Sequence, residues 1–163
     1  MNKGKSYIES LNNDDHLEKI ILDNYKWKFA LENSNIGVWD WNAETNEVFY
    51  SEESKKMIGF EDFEFGNSSE EWDKRVHKED REAYYRDFNA HLNGELNFYK
   101  NEHRILCKDG TYKWILDRGK IVSRDNNGKS LRIIGTHADI SKRKEIEKQL
   151  RTNLNLITNQ NKR

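Results

Sequence analysis

From Asp14 to about Asn33 the apolar residues Leu17, Ile20, Ile21, Tyr25, Trp27 and Leu31 recur at spacings of mostly three and four, with charged residues between them. That period predicts an amphipathic helix. Asp14 and Asp15 stand where an N-cap and a first-turn acid belong, and Asn33-Ser34-Asn35 stops the run. Residues 1–13 read as a disordered tail. The period then shortens: Ile36, Val38 and Asp40 alternate with Trp39 and Trp41, a turn falls at Ala43–Asn46, and Glu47–Tyr50 continues the pattern as a hairpin. Ser51 caps a brief helix that carries Glu52 and Glu53 in its first turn and ends at Met57-Ile58, with Gly59 as a left-handed stop. Ser68 and Glu71 have capping-box spacing ahead of Trp72 and Val76. Tyr84, Phe88 and Leu92 share one face of a longer helix over Glu79–Leu92, which Gly94 ends.

Three longer strand patterns follow. Asn97–Cys107 ends at Lys108-Asp109-Gly110, Tyr112–Arg124 ends at Asp125-Asn126-Asn127-Gly128, and Ser130–Ile140 closes the set, which predicts an antiparallel meander. Strands and helices segregated in this order belong to the α+β class, with helices on one side of a single sheet. After Asp139-Ile140-Ser141 the chain is helical again, with Ile146, Leu150, Leu154 and Ile157 at steps of four, four and three. A stripe that narrow suits the seam of a two-stranded coiled coil better than attachment to a globular core.

Composition narrows the function. With 28 Lys and Arg against 29 Asp and Glu in 163 residues, the net charge of −1 gives no general electrostatic drive toward nucleic acid or anionic membrane. The chain is 35% charged, yet 5 Trp, 7 Tyr and 7 Phe supply a ring-rich core that disordered chains lack. Cys107 is the only cysteine, so neither an intrachain disulfide nor a multi-thiolate zinc site is available, and a reducing, cytoplasmic setting is expected. No apolar run approaches the roughly 18 to 20 residues that cross a bilayer, and Met1–Ser6 lacks a signal-peptide core. Phosphate loop, nucleophile elbow, His-Glu-x-x-His and dinucleotide fingerprint are all missing, so the chain itself is not expected to be an enzyme.

Over about Phe29–Leu150 the sequence resembles the PAS sensory-domain family. The residues that carry the resemblance are Gly37-Val38-Trp39-Asp40-Trp41, Ser51 through Met57-Ile58-Gly59-Phe60, and Val76-His77 with Glu79-Asp80-Arg81. They continue with Glu102-His103-Arg104, Lys108-Asp109-Gly110-Thr111-Tyr112-Lys113-Trp114, Asp117-Arg118-Gly119, and Gly135-Thr136 leading to Asp139-Ile140-Ser141. Lys78 replaces the family's usual proline and Ser141 its more frequent threonine. The resemblance implies a five-stranded antiparallel sheet with helices over one face enclosing a small pocket. It further implies a sensor or relay that passes a change through Asp139, Ile140 and Ser141 into the exit helix. On that reading 14–34 is an N-terminal flanking helix, 35–141 the sensory domain, and 142–163 a signalling helix and linker. The linker resembles those preceding the phosphoacceptor helix of sensor histidine kinases. A homodimer, joined along Ile146, Leu150, Leu154 and Ile157 and passing its signal to an effector domain of the same polypeptide, follows. A histidine kinase is the first choice of parent protein and a diguanylate cyclase the second; a ligand-free dimerisation spacer is the structural alternative.

Trp39, Trp41, Trp72, Tyr84, Phe88, Trp114 and Leu116 are expected between sheet and helices, with Thr136, His137 or Asn101 as polar anchors. Most such rings simply fill a core, and no cofactor motif is readable. His77 fits a capping role better than a ligand role. His91 lies where haem-binding relatives carry an axial histidine, but its surroundings do not match. The Asn-Cys-Arg-Phe motif of flavin photosensors is missing, so Cys107 reads as a packing residue. No metal site, haem, flavin or nucleic-acid partner is expected, nor direct membrane contact. Glu102 and Arg104 lie on the strand adjacent to Asp117 and Arg118 and are candidates for a ladder of cross-strand surface ion pairs; the functional alternative is that one of these residues holds Asp139.

Overall fold

The computed structural model describes residues 3–160, with side chains from 16 to 159. It divides into two units, the first helix and everything from Asn35 onward. Helix α1 spans Lys3–Ser34. It therefore begins well before the cap expected at Asp14, because Lys5–Asp14 contains no Gly or Pro to end a helix. Met1 and Asn2 of the expected tail, and residues 161–163 of the expected linker, lie outside the described residues.

The second unit is built on one antiparallel sheet of five strands: β1 (Ile36–Asn42), β2 (Glu47–Tyr50), β3 (Tyr99–Leu106), β4 (Tyr112–Arg124) and β5 (Ser130–Asp139). Their spatial order is β2-β1-β5-β4-β3, so the last strand pairs with the first and sits at the centre. Between β2 and β3 come α2 (Glu52–Met57), a 3₁₀ turn (Asp62–Glu64), α3 (Ser69–Asp73) and α4 (Arg81–Leu92), and α5 (Ser141–Gln160) follows β5. The α+β architecture expected from the pattern is present.

Local chemistry explains most boundaries. Ser51 Oγ accepts hydrogen bonds from the amides of Ser54 and of Val38, so it caps α2 and ties it to β1. Gly59 ends that helix at φ +86°, a conformation glycine adopts without strain. The box expected at Ser68 does not form: Ser68 is the N-cap of α3 without a side-chain bond, and Glu71 instead pairs with Lys74 and Arg75. The core lies between the sheet and the short helices, with Trp39, Tyr50, Ile58, Trp72, Tyr99 and Ile115 among its buried residues. Trp39 lies over the paired Gly119 and Gly135. A Cβ on either glycine would strike its ring.

Only the first turn of α5 is held by the sheet. Ile146, Leu150, Leu154 and Ile157 are between 48% and 63% exposed. None of the described helices is long and apolar enough to cross a membrane.

Candidate functional site

The sheet's inner face and the helices enclose a cavity of about 120 Å³. Each strand contributes: Trp39 from β1, Tyr50 from β2, Tyr99 from β3, Asp117 from β4 and His137 from β5. Helices α3 and α4 close it with Trp72, Asp73, Tyr84 and Phe88. Drug-sized pockets run to roughly 300–1,000 Å³. This cavity suits only a few heavy atoms.

Rings make up most of its wall. Trp72 stacks on His137 with centroids 3.6 Å apart and planes 8° off parallel. Tyr50 stacks on the same indole at 6.0 Å. Phe88 meets Tyr99 edge-on at 5.2 Å. Such offset and edge-on pairs add about 0.5–1.5 kcal/mol each beyond their buried area.

Two buried polar chains run behind the rings. In the first, Trp39 Nε1–H donates to Asp117 Oδ1 at 2.8 Å, His137 Nε2 lies 3.5 Å from the same oxygen, and His137 Nδ1 is 3.2 Å from Ser54 Oγ. In the second, Trp72 Nε1–H donates to His103 Nε2 at 3.0 Å, His103 Nδ1 lies 3.0 Å from Asn101 Oδ1, and Asn101 Nδ2 donates to Asp87 Oδ2 at 2.7 Å. A ring nitrogen that accepts carries no proton, so the hydrogen-bond pattern assigns His103 as the neutral Nδ1–H tautomer. Burial pushes its pKa down to about 4. Burial also raises the Asp73 carboxyl, against the hydrogen bond that Tyr84 OH donates to Asp73 Oδ1 at 2.8 Å. Tyr99 is 1% exposed, and its hydroxyl has no hydrogen-bond partner among the described residues.

Of the residues expected to line the pocket, Trp39, Trp41, Trp72, Tyr84 and Phe88 do so. Trp114, Leu116 and Thr136 do not. Successive strand side chains point to opposite faces, and on β4 and β5 it is Ile115, Asp117, Ile133 and His137 that are buried inward. Of the expected polar anchors, His137 reaches the cavity, whereas Asn101 is buried behind it as a partner of His103. Sequence reasoning missed Tyr50, Asp73 and Tyr99 as lining, and treated Asp117 as a surface partner. The alternation Tyr99, Asn101, His103, Ile105, all buried, was the available signal.

The outer face holds the junction with α5. Asp139 Oδ1 accepts from the Ser141 amide at 2.9 Å, and Asp139 Oδ2 pairs with Lys113 at 3.2 Å. Lys113 also donates to the Met57 carbonyl. Ser141 Oγ accepts from the Trp114 amide, and Ile140 N–H donates to the Trp114 carbonyl. Glu102 pairs with Arg143 at 2.8 Å and Lys144 at 2.6 Å, while Lys144 Nζ lies 4.8 Å from the centroid of the Trp114 ring. The expected pairing of Glu102 and Arg104 with Asp117 and Arg118 is thus corrected. Glu102 binds α5, Arg104 binds Asp80 and Glu79, Asp117 is buried on the inner face, and Lys113 restrains Asp139. Burial alone would raise the Glu102 and Asp139 carboxyls, but their cationic and hydroxyl partners outweigh it and hold both below the ordinary carboxylate range.

The remaining candidates have local roles. His77 Nδ1 accepts from the Glu79 amide. His91 Nε2 accepts from the Ile121 amide, and Nδ1 lies 2.8 Å from the Leu96 carbonyl, so both ring nitrogens serve the fold. Cys107 is buried, and burial pushes its thiol pKa up.

Comparison with known proteins gives concordant matches. A family profile described as PAS fold matches residues 47–137. Among curated proteins, hybrid signal transduction histidine kinase A of Dictyostelium discoideum is 31% identical over 75 residues, which is 45% of this chain but only 4% of that protein's length. Among solved structures, a sensory box histidine kinase/response regulator from Burkholderia thailandensis is similar at a TM-score of 0.73 and 28% identity, over 82% of this chain and 98% of that one. The N-terminal domain of a diguanylate cyclase with PAS/PAC sensor from Marinobacter aquaeolei is similar at 0.58 and 27%, over 66% and 97%.

Proposed function

Because the chain belongs to the PAS-fold family, we propose that it is a cytoplasmic sensor or relay module that homodimerises and passes a change in its inner cavity to α5 and an effector beyond. One observation carries this reading. Strands β4 and β5 place Asp117 and His137 in the cavity, and the same two strands bond to the first residue of α5 through Trp114 and Asp139, the latter held by Lys113. A ligand that favours one arrangement of the cavity therefore has a covalent route of a few residues to the helix. Coupling of about 1–3 kcal/mol suffices for such a relay. The effector we favour is a histidine kinase, in line with the similarity to histidine kinase sensory regions; the cyclase similarity supports the second choice.

The test is hydrogen exchange on the whole chain with the cavity altered by Trp72→Phe, since Trp72 lies on α3, far in sequence from α5. Faster exchange at residues 141–150, with the amides of β1 and β2 unchanged, supports the relay; unchanged exchange at 141–150 overturns it. Dimerisation is tested separately. Replacing Leu150 and Leu154 with Asp puts charge on the exposed stripe of α5, and sedimentation equilibrium should then shift from dimer to monomer. A profile identical to that of the unmodified chain removes the coiled-coil seam.

A further inference from the structure

We propose that the cavity binds a small organic cation, an alkylammonium held within a cage of rings and carboxylates. The inference deepens the relay reading, on which it rests, by assigning the chemical class of the input.

The wall carries two carboxylates, Asp73 and Asp117, and no Lys or Arg. Aromatic faces present negative charge and attract cations within about 6 Å of the ring centroid, most strongly where water is excluded. Trp39, Trp72, Tyr84 and Tyr99 supply such rings on several sides. Trp39 Nε1–H donates to Asp117 and Tyr84 OH to Asp73, but neither donor is a cation: a neutral guest would leave the negative charge of the wall unmatched, and an anion would be repelled by it.

Tyr99 gives a second sign, its hydroxyl lying near the Asp117 carboxylate without a well-formed hydrogen bond to it. Its side chain lines the cavity and is nearly fully buried, yet the hydroxyl has no partner among the described residues. Buried hydroxyls are ordinarily satisfied, so an orphan at a cavity wall points to a partner supplied from inside. The N–H of an ammonium ion is a suitable donor to that oxygen. Electrostatics agree. Burial raises the hydroxyl pKa of Tyr84 and Tyr99, and the negative fields of Asp73 and Asp117 push both further up.

Size sets the upper limit. An apolar cavity of roughly 150 Å³ accepts benzene, so about 120 Å³ admits a guest somewhat smaller than that ring. Tyr85, 44% exposed, also lines the cavity and carries its wall to the surface.

Isothermal titration calorimetry on the whole chain tests the assignment with trimethylammonium, tetramethylammonium, and the neutral tert-butanol, which shares the tetramethylammonium shape. Both cations should bind roughly tenfold or more tightly than tert-butanol. Asp117→Asn and Asp73→Asn, whose amide oxygens can still accept from Trp39 and Tyr84, should each erase most of that preference. Asp73 is half-buried, so its variant keeps the test decisive if Asp117→Asn does not fold. Tyr99→Phe should weaken trimethylammonium while leaving tetramethylammonium, which has no N–H, unchanged. Equal affinity for the neutral and cationic guests, or an undiminished cation preference in Asp73→Asn, overturns the proposal. The two readings fail separately. If tert-butanol binds as well as the cations and alters exchange at 141–150, the cation assignment falls and the relay stands; cation binding that leaves 141–150 unaltered does the reverse.

Discussion

The two faces of the sheet use opposite physics on the same strands. Inward, Trp72, His103, Asp117 and His137 are almost fully buried, and their polar atoms are joined in hydrogen-bonded chains. Outward, Glu102, Lys113, Trp114 and Lys144 are partly exposed and joined by ion pairs and a cation over a ring. Removing a buried partner strands a desolvated group at about 1–3 kcal/mol, whereas an exposed pair contributes about 0–1 kcal/mol. The inner face is therefore all-or-none. The outer face can be loosened one contact at a time, which is what the proposed relay needs of its junction.

The largest expected effect comes from the inner face. Trp72→Ala removes a buried ring that stacks on His137 and Tyr50 and donates to His103. Urea unfolding should show a loss of about 3–5 kcal/mol; a loss below 1 kcal/mol would mean that the inner face is no more rigid than the outer.

The second effect sharpens the contrast through pH. In the folded chain His103 has a pKa lowered to about 4, against 6.5 when unfolded. The unfolded state thus binds more protons between these values, and stability falls as pH drops from about 6.5 toward 4, by up to roughly 3 kcal/mol. The lowered carboxyls of Glu102 and Asp139 act in a different window: their contribution is present above the unfolded carboxylate range and is lost as pH falls through their depressed folded values. Denaturation followed between pH 7 and 4 should therefore report the inner face first, and His103→Gln should flatten that slope. An unchanged slope in the variant would remove His103 as its source.

The smallest effect on stability belongs to the junction. Glu102→Gln should lower global stability by no more than about 1 kcal/mol while raising exchange in the first turn of α5. A large global loss with no local change would erase the distinction between the faces.

How much of this was legible in the chain depended on where one pattern had a single solution. The bounds of β4 and the stop at Gly59 follow from glycine-bearing turns that only a few backbone conformations satisfy. The phase of β4 did not. Trp114-Ile115-Leu116-Asp117 carries apolar residues on both faces, and the carboxylate expected on the wet side is the buried one. Because α5 covers Trp114 from outside, an apolar residue there says nothing about the cavity. The role of Asn101 and His103 as a buried pair could not be read from spacing, since their partners Asp87 and Trp72 lie on distant segments. Likewise, nothing in the spacing of Ser68 and Glu71 shows that Arg75 and Lys74 compete for the carboxylate.

The central place of β5 also bears on how the molecule is made. Strands β1 with β2, and β3 with β4, are two ribbons whose only hydrogen-bonded link in the sheet is the strand that leaves the ribosome last. Until Ser130–Asp139 has emerged, nascent chains hold two halves with open edges, and closure must wait for pairings distant in sequence. Helix α5 is thus synthesised only after the strand that completes its platform.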